Sequence, residues 1–330
     1  MDKFRTEVIP DAFPWNISYH STSFFIGSCF TRHIGTKMQA LKFNAEVNPF
    51  GVVYNPISVR NSLDTLLKKE LLSENDLHFR NENWFSFYHH SSFSNPKKEV
   101  CLENINSKIN SASTKLAETN YLFITFGTAR VFRRKETEEI VSNCHKLPAS
   151  VFKREILSVE QIVAEYISLL ELMFKTNPDL KVILTVSPIR HWKDGAEGNQ
   201  ISKSILLLAA SQLVEKYENV YYFPSYEIMM DDLRDYRFYA EDMIHLSHLA
   251  IKYIWEKFSD VVFDQETLKL FPRIQKINKA LSHTPFHSSS KLYKDFCRKT
   301  LQEIQVLEKE NSRISFVDEK VILSNYIDNQ

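Results

Sequence analysis

A serine at the end of an apolar segment is the first residue whose setting could support chemistry. Ser28 lies in Phe25-Ile-Gly-Ser-Cys-Phe-Thr31, where a short apolar run meets Gly-Ser and then a predicted helix. This places Ser28 at the carboxyl end of a strand, the edge at which open α/β sheets bind ligands. The helix N-terminus supplies unpaired N–H groups and a positive partial charge that suit an oxyanion. The alternative interpretation is a serine that only caps the helix.

A carboxylate and a histidine three residues apart form the second pattern. Asp242 and His245 lie in Glu241-Asp-Met-Ile-His-Leu-Ser-His248, just before a predicted helix. In a helical turn this spacing places both side chains on one face. The carboxylate could then bind one imidazole nitrogen and leave the other facing a serine. Glu241 and His248 are competitors at similar spacing, and a local ion pair or helix cap is the alternative interpretation.

Other residues could contribute to a site near Ser28. His191 follows a predicted strand end, so it should lie on the same sheet edge, either lining a substrate pocket or acting as a second base; a structural histidine is the alternative. Arg190 could bind a substrate carboxylate or form a structural ion pair. His89 and His90 would point to opposite faces of a strand, which disfavours a metal pair. Cys29 is a rival nucleophile, or inert packing.

Short apolar runs separated by helical periodicity indicate the fold that positions these residues. The runs lack strict alternation, which is typical of parallel strands covered on both faces. Four strands are predicted: Phe24–Ile26, Tyr121–Phe126, Lys181–Val186 and Val220–Phe223. Helices are predicted after Ser158, which forms a capping-box pattern with Gln161, over Ile201–Tyr217 and over His245–Phe258. The alternation predicts an α/β fold, a three-layer α/β/α sandwich with a mainly parallel sheet.

Two regions lack this alternation of apolar runs and predicted helices. Turn formers and an aromatic, His-rich stretch separate the first two predicted strands, and 130–145 is predicted to be a β-hairpin insertion. Amphipathic helices are predicted near Thr267–Leu281 and Ser289–Lys309. We therefore expect an α/β domain with inserted loops at residues 1–264 and a helical C-terminal extension, packed on it, at residues 265–330.

The composition excludes several classes of protein. Among 330 residues, Lys+Arg and Asp+Glu both total 41, so there is no basic excess for nucleic-acid phosphates. No apolar run is long enough to span a bilayer. The first twenty residues lack the apolar region of a signal peptide, which predicts a cytoplasmic protein. The four cysteines are scattered without CxxC spacing, which predicts reduced thiols.

Glycine is scarce in this chain. Six glycines are present, where average usage of ~7% would give about 23. Neither Gly-x-Gly-x-x-Gly nor Gly-x-x-x-x-Gly-Lys-Ser occurs, so the two usual nucleotide-phosphate loops are absent. No cofactor and no metal site are predicted.

The two patterns together resemble a known family. The segment 27–31, Gly-Ser-Cys-Phe-Thr, resembles the signature that names the GSCFA family, with Thr31 where the name has Ala. Further segments that look like this family are Asn48-Pro-Phe-Gly51, Tyr54-Asn-Pro56, Phe126-Gly-Thr-Ala129, Asn143-Cys-His-Lys146 and Val186-Ser-Pro-Ile-Arg-His191. The similarity covers roughly residues 15 to 260. It implies an SGNH/GDSL-like hydrolase with a flavodoxin-like sheet, in which the order Ser28, Asp242, His245 matches the catalytic order.

One position departs from the superfamily pattern. The resemblance aligns 127–130, Gly-Thr-Ala-Arg, with a Gly-x-Asn-Asp block whose Asn helps form the oxyanion hole, so Ala129 occupies the Asn position. A methyl group cannot donate a hydrogen bond, and one missing donor can cost ~2.7–4 kcal/mol of transition-state stabilisation. The backbone N–H groups of Ser28 and Gly51 are the expected donors. Asn143 is a candidate replacement, with a turn residue as the alternative.

The predicted function is a serine hydrolase of small-molecule or carbohydrate esters. Ser28 attacks the ester carbonyl, His245 serves as general base and then general acid, and Asp242 orients the imidazole. An acyltransferase would use the same residues with a hydroxyl acceptor in place of water. The alternative from another class is a catalytically weak binding or assembly module, which Ala129 favours and the retained Ser, Asp and His disfavour.

Overall fold

Five parallel strands form the central sheet of the computed structural model, which describes residues 5–282 and 290–328. In spatial order they are β10 (Val220–Tyr222), β9 (Lys181–Val186), β5 (Tyr121–Phe126), β1 (Thr22–Gly27) and β2 (Asn44–Val47). Every neighbouring pair is parallel. The four predicted strands are confirmed. β2 is not predicted, because this partly exposed edge strand contains no apolar run.

Helices cover both faces of the sheet, which confirms the three-layer α/β/α prediction. One face carries α2 (Pro56–Lys68), α3 (Lys98–Ala117), α4 (Val159–Thr176) and α5 (Gly195–Lys216), and the other carries α1 (Cys29–Ala40) and α7 (His248–Val262). Neighbouring residues of β1 enter different layers: Phe24 packs with α2–α5, and Phe25 packs with α1 and stacks on Phe123 of β5 at 4.4 Å between ring centroids. The apolar runs lack alternation because both faces are buried.

The predicted insertion contains a larger sheet than a hairpin. β6 (Arg130–Arg134) pairs with β7 (Ile140–Val141) as expected, and β8 (Phe152–Ile156) adds a third antiparallel strand on the other side of β6. A two-stranded sheet of β3 (His78–Arg80) and β4 (Asn83–Phe85) lies between α2 and α3 in the chain. These small sheets extend from the main domain as the inserted loops.

Capping residues predict the starts of the helices more accurately than apolar periodicity does. The Ser158–Gln161 capping box is present at the start of α4. α5 begins six residues before the predicted Ile201, because its first turns are polar and give no apolar signal. α7 begins at His248 with Ser247 as its N-cap, so His245 precedes the helix. A single turn, α6 (Ser225–Glu227), follows β10 and leads into a π-helical turn at Ile228–Asp232.

The C-terminal helices share the core of the α1 face. They are α8 (Gln265–Leu281), α9 (Lys291–Glu310) and α10 (Val317–Asp328). α8 starts after its N-cap Asp264, and its Phe271 packs against Trp255 and Phe263. The predicted start of α9, Ser289, lies outside the described residues, and α10 is not predicted. The division at residues 264/265 stays a prediction. Within 5–282 and 290–328, no helix has the length and apolar character needed to cross a bilayer.

Candidate active site

Ser28 occupies the junction between β1 and α1. It is the N-cap of α1 and is almost completely buried, yet its side chain makes no capping hydrogen bond. Its Oγ has no hydrogen-bond partner in the described part of the chain. Only glycine fits at position 27, directly before Ser28. Its φ is +135°, and a β-carbon there would lie 2.2 Å from the Thr125 carbonyl oxygen. The alternative of a simple side-chain cap is therefore not what the contacts show.

Asp242 and His245 form the predicted pair, in a turn rather than in a helix. His245 Nδ1 lies 2.6 Å from Asp242 Oδ2, while Asp242 Oδ1 accepts the backbone N–H groups of Ile244 (3.0 Å) and His245 (2.9 Å). Met243 adopts a left-handed conformation, φ 57°, which closes the turn. The hydrogen bond from the His245 ring and those from the two backbone amides lower the pKa of Asp242 to about 2. The carboxylate therefore stays ionised and can support a protonated imidazole.

The predicted hydrogen bond between Ser28 and His245 is not formed. The imidazole of His191 lies near Ser28, on the other side of Gly127. A β-carbon on Gly127 would lie 3.2 Å from Ser28 Cβ and 3.4 Å from His191 Nε2. Ser28 and His191 thus flank the same point at the carboxyl end of β5, although the Ser28 hydroxyl bonds to neither histidine.

His191 is held as a neutral imidazole. Its backbone N–H donates to Asn199 Oδ1 at 2.9 Å, and its ring meets Tyr54 edge-on, 5.7 Å between centroids. Burial, and next the nearby Lys203 ammonium, lower its pKa to about 4, with a smaller contribution from His245. At neutral pH the His191 ring can donate one hydrogen bond and accept another, and it carries no charge.

Both predicted backbone oxyanion donors are already used. The Ser28 N–H donates to the Thr125 carbonyl at 3.2 Å, and the Gly51 N–H donates to the Asn48 carbonyl at 2.8 Å. Asn143 behaves as a turn residue, since its Oδ1 accepts the His145 N–H at 3.0 Å and its Nδ2 reaches the His89 carbonyl at 3.5 Å. The Ser28 and Gly51 amides are therefore not free to bind an oxyanion in this conformation, because both already donate to backbone carbonyl oxygens of the protein.

Asn48 is a donor that the sequence analysis missed. Its Oδ1 accepts the Gly27 N–H at 2.8 Å, and its buried Nδ2 has no partner among the described residues. Asn48 adopts φ 46° after β2, so the sequence signal was that of a turn former. The Asn48 amide reaches Gly27 because β2 pairs with β1, and a local sequence pattern does not reveal this pairing.

Lys203 is a second residue that the sequence analysis missed. This lysine of α5 is completely buried, and its Nζ donates to the carbonyl oxygens of Gly127 (2.7 Å) and Ser187 (2.6 Å). Burial, and next the Arg190 guanidinium, lower its pKa to about 7. Lys203 lies three residues before Leu206 and seven before Ala210, a spacing that places it on the buried face of α5 and could have identified it from the sequence. Lys203 joins the ends of β5 and β9 behind the Ser28–His191 pair.

The remaining candidates lie at the margin of this site. Cys29 Sγ is 3.9 Å from the Tyr54 hydroxyl. His89 and His90 lie in a loop, so the argument from strand alternation does not apply to them. His89 Nδ1 contacts Ser86 Oγ at 3.1 Å, and His90 Nδ1 contacts Ser92 Oγ at 3.0 Å. No cluster of His, Cys, Asp and Glu suited to a metal ion is found within 5–282 and 290–328.

An open cavity of about 610 Å³ adjoins the Asp242–His245 turn. It is lined mainly by apolar and aromatic side chains, together with four charged ones. They are Arg190, Trp192, Met229, Met230, Leu233, Arg234, Asp235, Tyr236, Tyr239, Asp242, Met243 and Ile244. A space of this size and character can hold a small organic ligand.

Comparison with known proteins places this geometry in context. The model of the GSCFA family matches residues 22–258, and that of the GSCFA domain protein, C-terminal domain, matches residues 274–329. A Clostridium thermocellum family 3 carbohydrate esterase is similar at 8% identity over 73% of this chain and 94% of that one, with a TM-score of 0.34. An acetyl xylan esterase (Est2A) from the rumen bacterium Butyrivibrio proteoclasticus is similar at 11% identity over 77% and 66%, with a TM-score of 0.38. No curated protein matches the sequence significantly.

Proposed function

We propose that this chain, which belongs to the GSCFA family, is an SGNH-type serine hydrolase that cleaves esters of small molecules or carbohydrates. The observation that carries the proposal is the 2.6 Å Asp242–His245 hydrogen bond in the turn before α7, combined with a buried, partnerless Ser28 hydroxyl at the start of α1. A serine nucleophile, a histidine base and a carboxylate that orients the histidine are the groups of the Ser-His-Asp mechanism.

In the proposed reaction, His245 Nε2 removes the Ser28 proton as Oγ attacks the ester carbonyl carbon. The tetrahedral intermediate collapses to an acyl-serine, and the alcohol leaves with the proton carried by His245. Water then attacks the acyl-serine, giving up one proton to His245, and the acid is released as that proton returns to Ser28. Asp242 stabilises the imidazolium formed in each half-reaction.

For this proton transfer His245 Nε2 has to come within hydrogen-bond distance of Ser28 Oγ, a contact that the structure does not show. Both side chains are about half exposed, 48% for Asp242 and 50% for His245, so a change of their rotamers meets little packing. Catalytic hydrogen bonds are often long or absent without substrate and tighten in the complex. We propose that substrate in the adjoining cavity brings the turn and Ser28 together.

Two side chains are proposed as oxyanion donors in place of the absent asparagine. His191 is neutral and beside Ser28, so its Nε2 can donate a hydrogen bond without titrating near neutral pH. The Nδ2 of Asn48 is buried next to Gly27 and has no partner among the described residues. An unpaired buried donor is costly unless a ligand accepts its hydrogen bond. The N-terminus of α1 adds its positive partial charge.

The test uses fluorophosphonate labelling and hydrolysis of 4-nitrophenyl acetate. Ser28→Ala is expected to abolish labelling and lower kcat/KM by orders of magnitude, since only the nucleophilic hydroxyl is removed. Ser23→Ala is the matched control, because Ser23 is a buried serine of β1 whose hydroxyl also lacks a partner; it should be labelled like wild type. Wild-type protein that is neither labelled nor active would overturn the proposal in favour of a binding module.

Histidine variants identify the base. His245→Ala is expected to abolish labelling, whereas His191→Gln, which keeps an amide donor, should retain slow labelling. The reverse result would make His191 the base. Labelling that survives Ser28→Ala but is lost in Cys29→Ala would make the cysteine the nucleophile. Product analysis with added alcohols tests the alternative acyltransferase, which would form a new ester instead of free acid.

A further inference from the structure

The cavity of about 610 Å³ is lined by one charged side chain, Arg190, that has no acidic partner among the described residues. Its lining includes four acidic or basic side chains with full charges: Arg190, Arg234, Asp235 and Asp242. Arg234 pairs with an aspartate at 3.0 Å, Asp235 with an arginine at 3.9 Å, and Asp242 with His245. In the described part of the chain, Arg190 has no acidic partner.

The only hydrogen bond that Arg190 makes within the described residues is a weak one. Its Nη2 donates to the sulfur of Met230 at 3.2 Å. A guanidinium carries five N–H donors, and a thioether is a poor acceptor. Arg190 is partly buried, so water replaces the missing acceptors less well than at an open surface. The structural ion pair that the sequence analysis offered for Arg190 is therefore absent.

A second basic side chain near Arg190, Lys203, also has no carboxylate partner among the described residues. The Lys203 ammonium donates to two backbone carbonyls and lies 5.9 Å from the centroid of the Tyr226 ring. After burial, the Arg190 guanidinium is the second cause of its lowered pKa. Arg190, with the partly protonated Lys203 near it, gives this region a positive potential. A negatively charged ligand group would relieve it.

The position of Arg190 connects this charge to the proposed reaction. It directly precedes His191, which lies beside Ser28, and it lines the same cavity as Asp242. Apart from the three other charged side chains, the lining is apolar or aromatic, with Trp192 and Tyr236 largely exposed. The cavity can therefore hold the body of an ester while one end meets the guanidinium.

We infer that Arg190 binds a free carboxylate on the substrate, so that the natural substrates are anionic esters. This rests on the proposed hydrolase function. The planar fork of a guanidinium matches the two oxygens of a carboxylate, which makes carboxylate its best small partner. Arg190 acts as a specificity-determining residue and takes no part in bond breaking.

Two matched pairs of esters test this inference. One pair places the charge on the acyl side, mono(4-nitrophenyl) glutarate against 4-nitrophenyl methyl glutarate. The other places it on the alcohol side, 4-acetoxybenzoate against 4-acetoxybenzamide. With each kcat/KM normalised to spontaneous hydrolysis, wild type should prefer the anionic member of at least one pair by about tenfold or more, the gain typical of a charge-assisted hydrogen bond.

Variants assign that preference to one side chain. Arg190→Met should bring the ratio of normalised kcat/KM between anionic and neutral esters close to one. Arg190→Lys should retain part of the anionic preference. Arg234→Met is the matched control, because Arg234 lines the same cavity but is paired with Asp231; its ratio should equal that of wild type. Absence of an anionic preference in both pairs, or a preference that survives Arg190→Met, would overturn the inference.

A binding experiment separates this inference from the hydrolase proposal. The Ser28→Ala protein, which cannot turn over, is titrated with 4-acetoxybenzoate by calorimetry. Binding that is lost in Ser28→Ala/Arg190→Met supports the carboxylate site even if wild type hydrolyses no ester. Failure of the Ser28→Ala protein to bind, or tighter binding of phenyl phosphate than of 4-acetoxybenzoate, contradicts it.

Discussion

Gly127→Ala tests whether the arrangement around Ser28 governs activity. The added methyl group would lie 2.8 Å from the Tyr54 carbonyl oxygen, 3.2 Å from Ser28 Cβ and 3.4 Å from His191 Nε2. The Tyr54 oxygen cannot rotate away, because it is backbone and accepts the N–H groups of Gly127 (2.8 Å) and Thr128 (3.0 Å). The methyl must therefore displace this backbone or push Ser28 and His191 apart.

The size of the effect follows from these contacts. Overpacking of a tight site costs about 1–3 kcal/mol of stability, and Gly127 is not in the left-handed region, so no backbone strain is added. A 1 Å misplacement of reacting groups can cost ~10²-fold, so a shift of a few tenths of an ångström should lower kcat about tenfold. The assay is kcat/KM for 4-nitrophenyl acetate together with the Tm.

Gly198→Ala is the matched control for this prediction. Its β-carbon would meet Asp194 Cβ at 3.2 Å and Arg130 Nη2 at 3.3 Å, and neither Ser28 nor His191 is among its nearest contacts. This glycine lies within α5, where alanine gains up to ~1 kcal/mol of helix propensity. Activity should be retained. Wild-type kcat/KM and Tm in Gly127→Ala would refute the reasoning that this position determines the spacing of the site.

Further expectations concern the donors, the buried lysine and pH. Asn48→Asp keeps the acceptor for Gly27 but removes the free Nδ2 donor, so kcat should fall ~10²–10³-fold with a near-native circular dichroism spectrum. Lys203→Met leaves two buried carbonyls without their donor; kcat should fall and the Tm should drop, since each orphaned acceptor costs ~1–3 kcal/mol. Burial lowers the pKa of His89 to about 3 and that of His191 to about 4, from 6.5. Their contribution to stability is present above pH ~6.5 and is lost as pH falls toward these values; urea midpoints at several pH values should decrease across this window, and His89→Gln should flatten the dependence.

Local patterns predicted those elements that depend on neighbouring residues. Buried strands such as Tyr121–Phe126 were recognisable because an apolar run without alternation is what two covered faces require. The Asp242–His245 contact depends on a spacing of three residues, and it forms even though the segment is a turn rather than the expected helix. The Ser158–Gln161 capping box is local for the same reason.

Elements with weak local signals were missed. β2 is an edge strand without an apolar run, and it is a strand because its backbone pairs with β1. β8 joins β6 across an intervening hairpin, which no local pattern reveals. In each case the partner strand, rather than the composition of the segment, determines the conformation.

Tertiary structure decided which groups surround Ser28. The strand–Gly–Ser–helix pattern placed the serine at the sheet edge, but sequence could not show that strand and turn bonds would claim the Ser28 and Gly51 amides. Asn48 reaches Gly27 across 21 positions and Lys203 reaches Gly127 across 76. Such contacts depend on the order and register of the strands, because side chains distant in the chain meet only after the sheet has brought its carboxyl ends together.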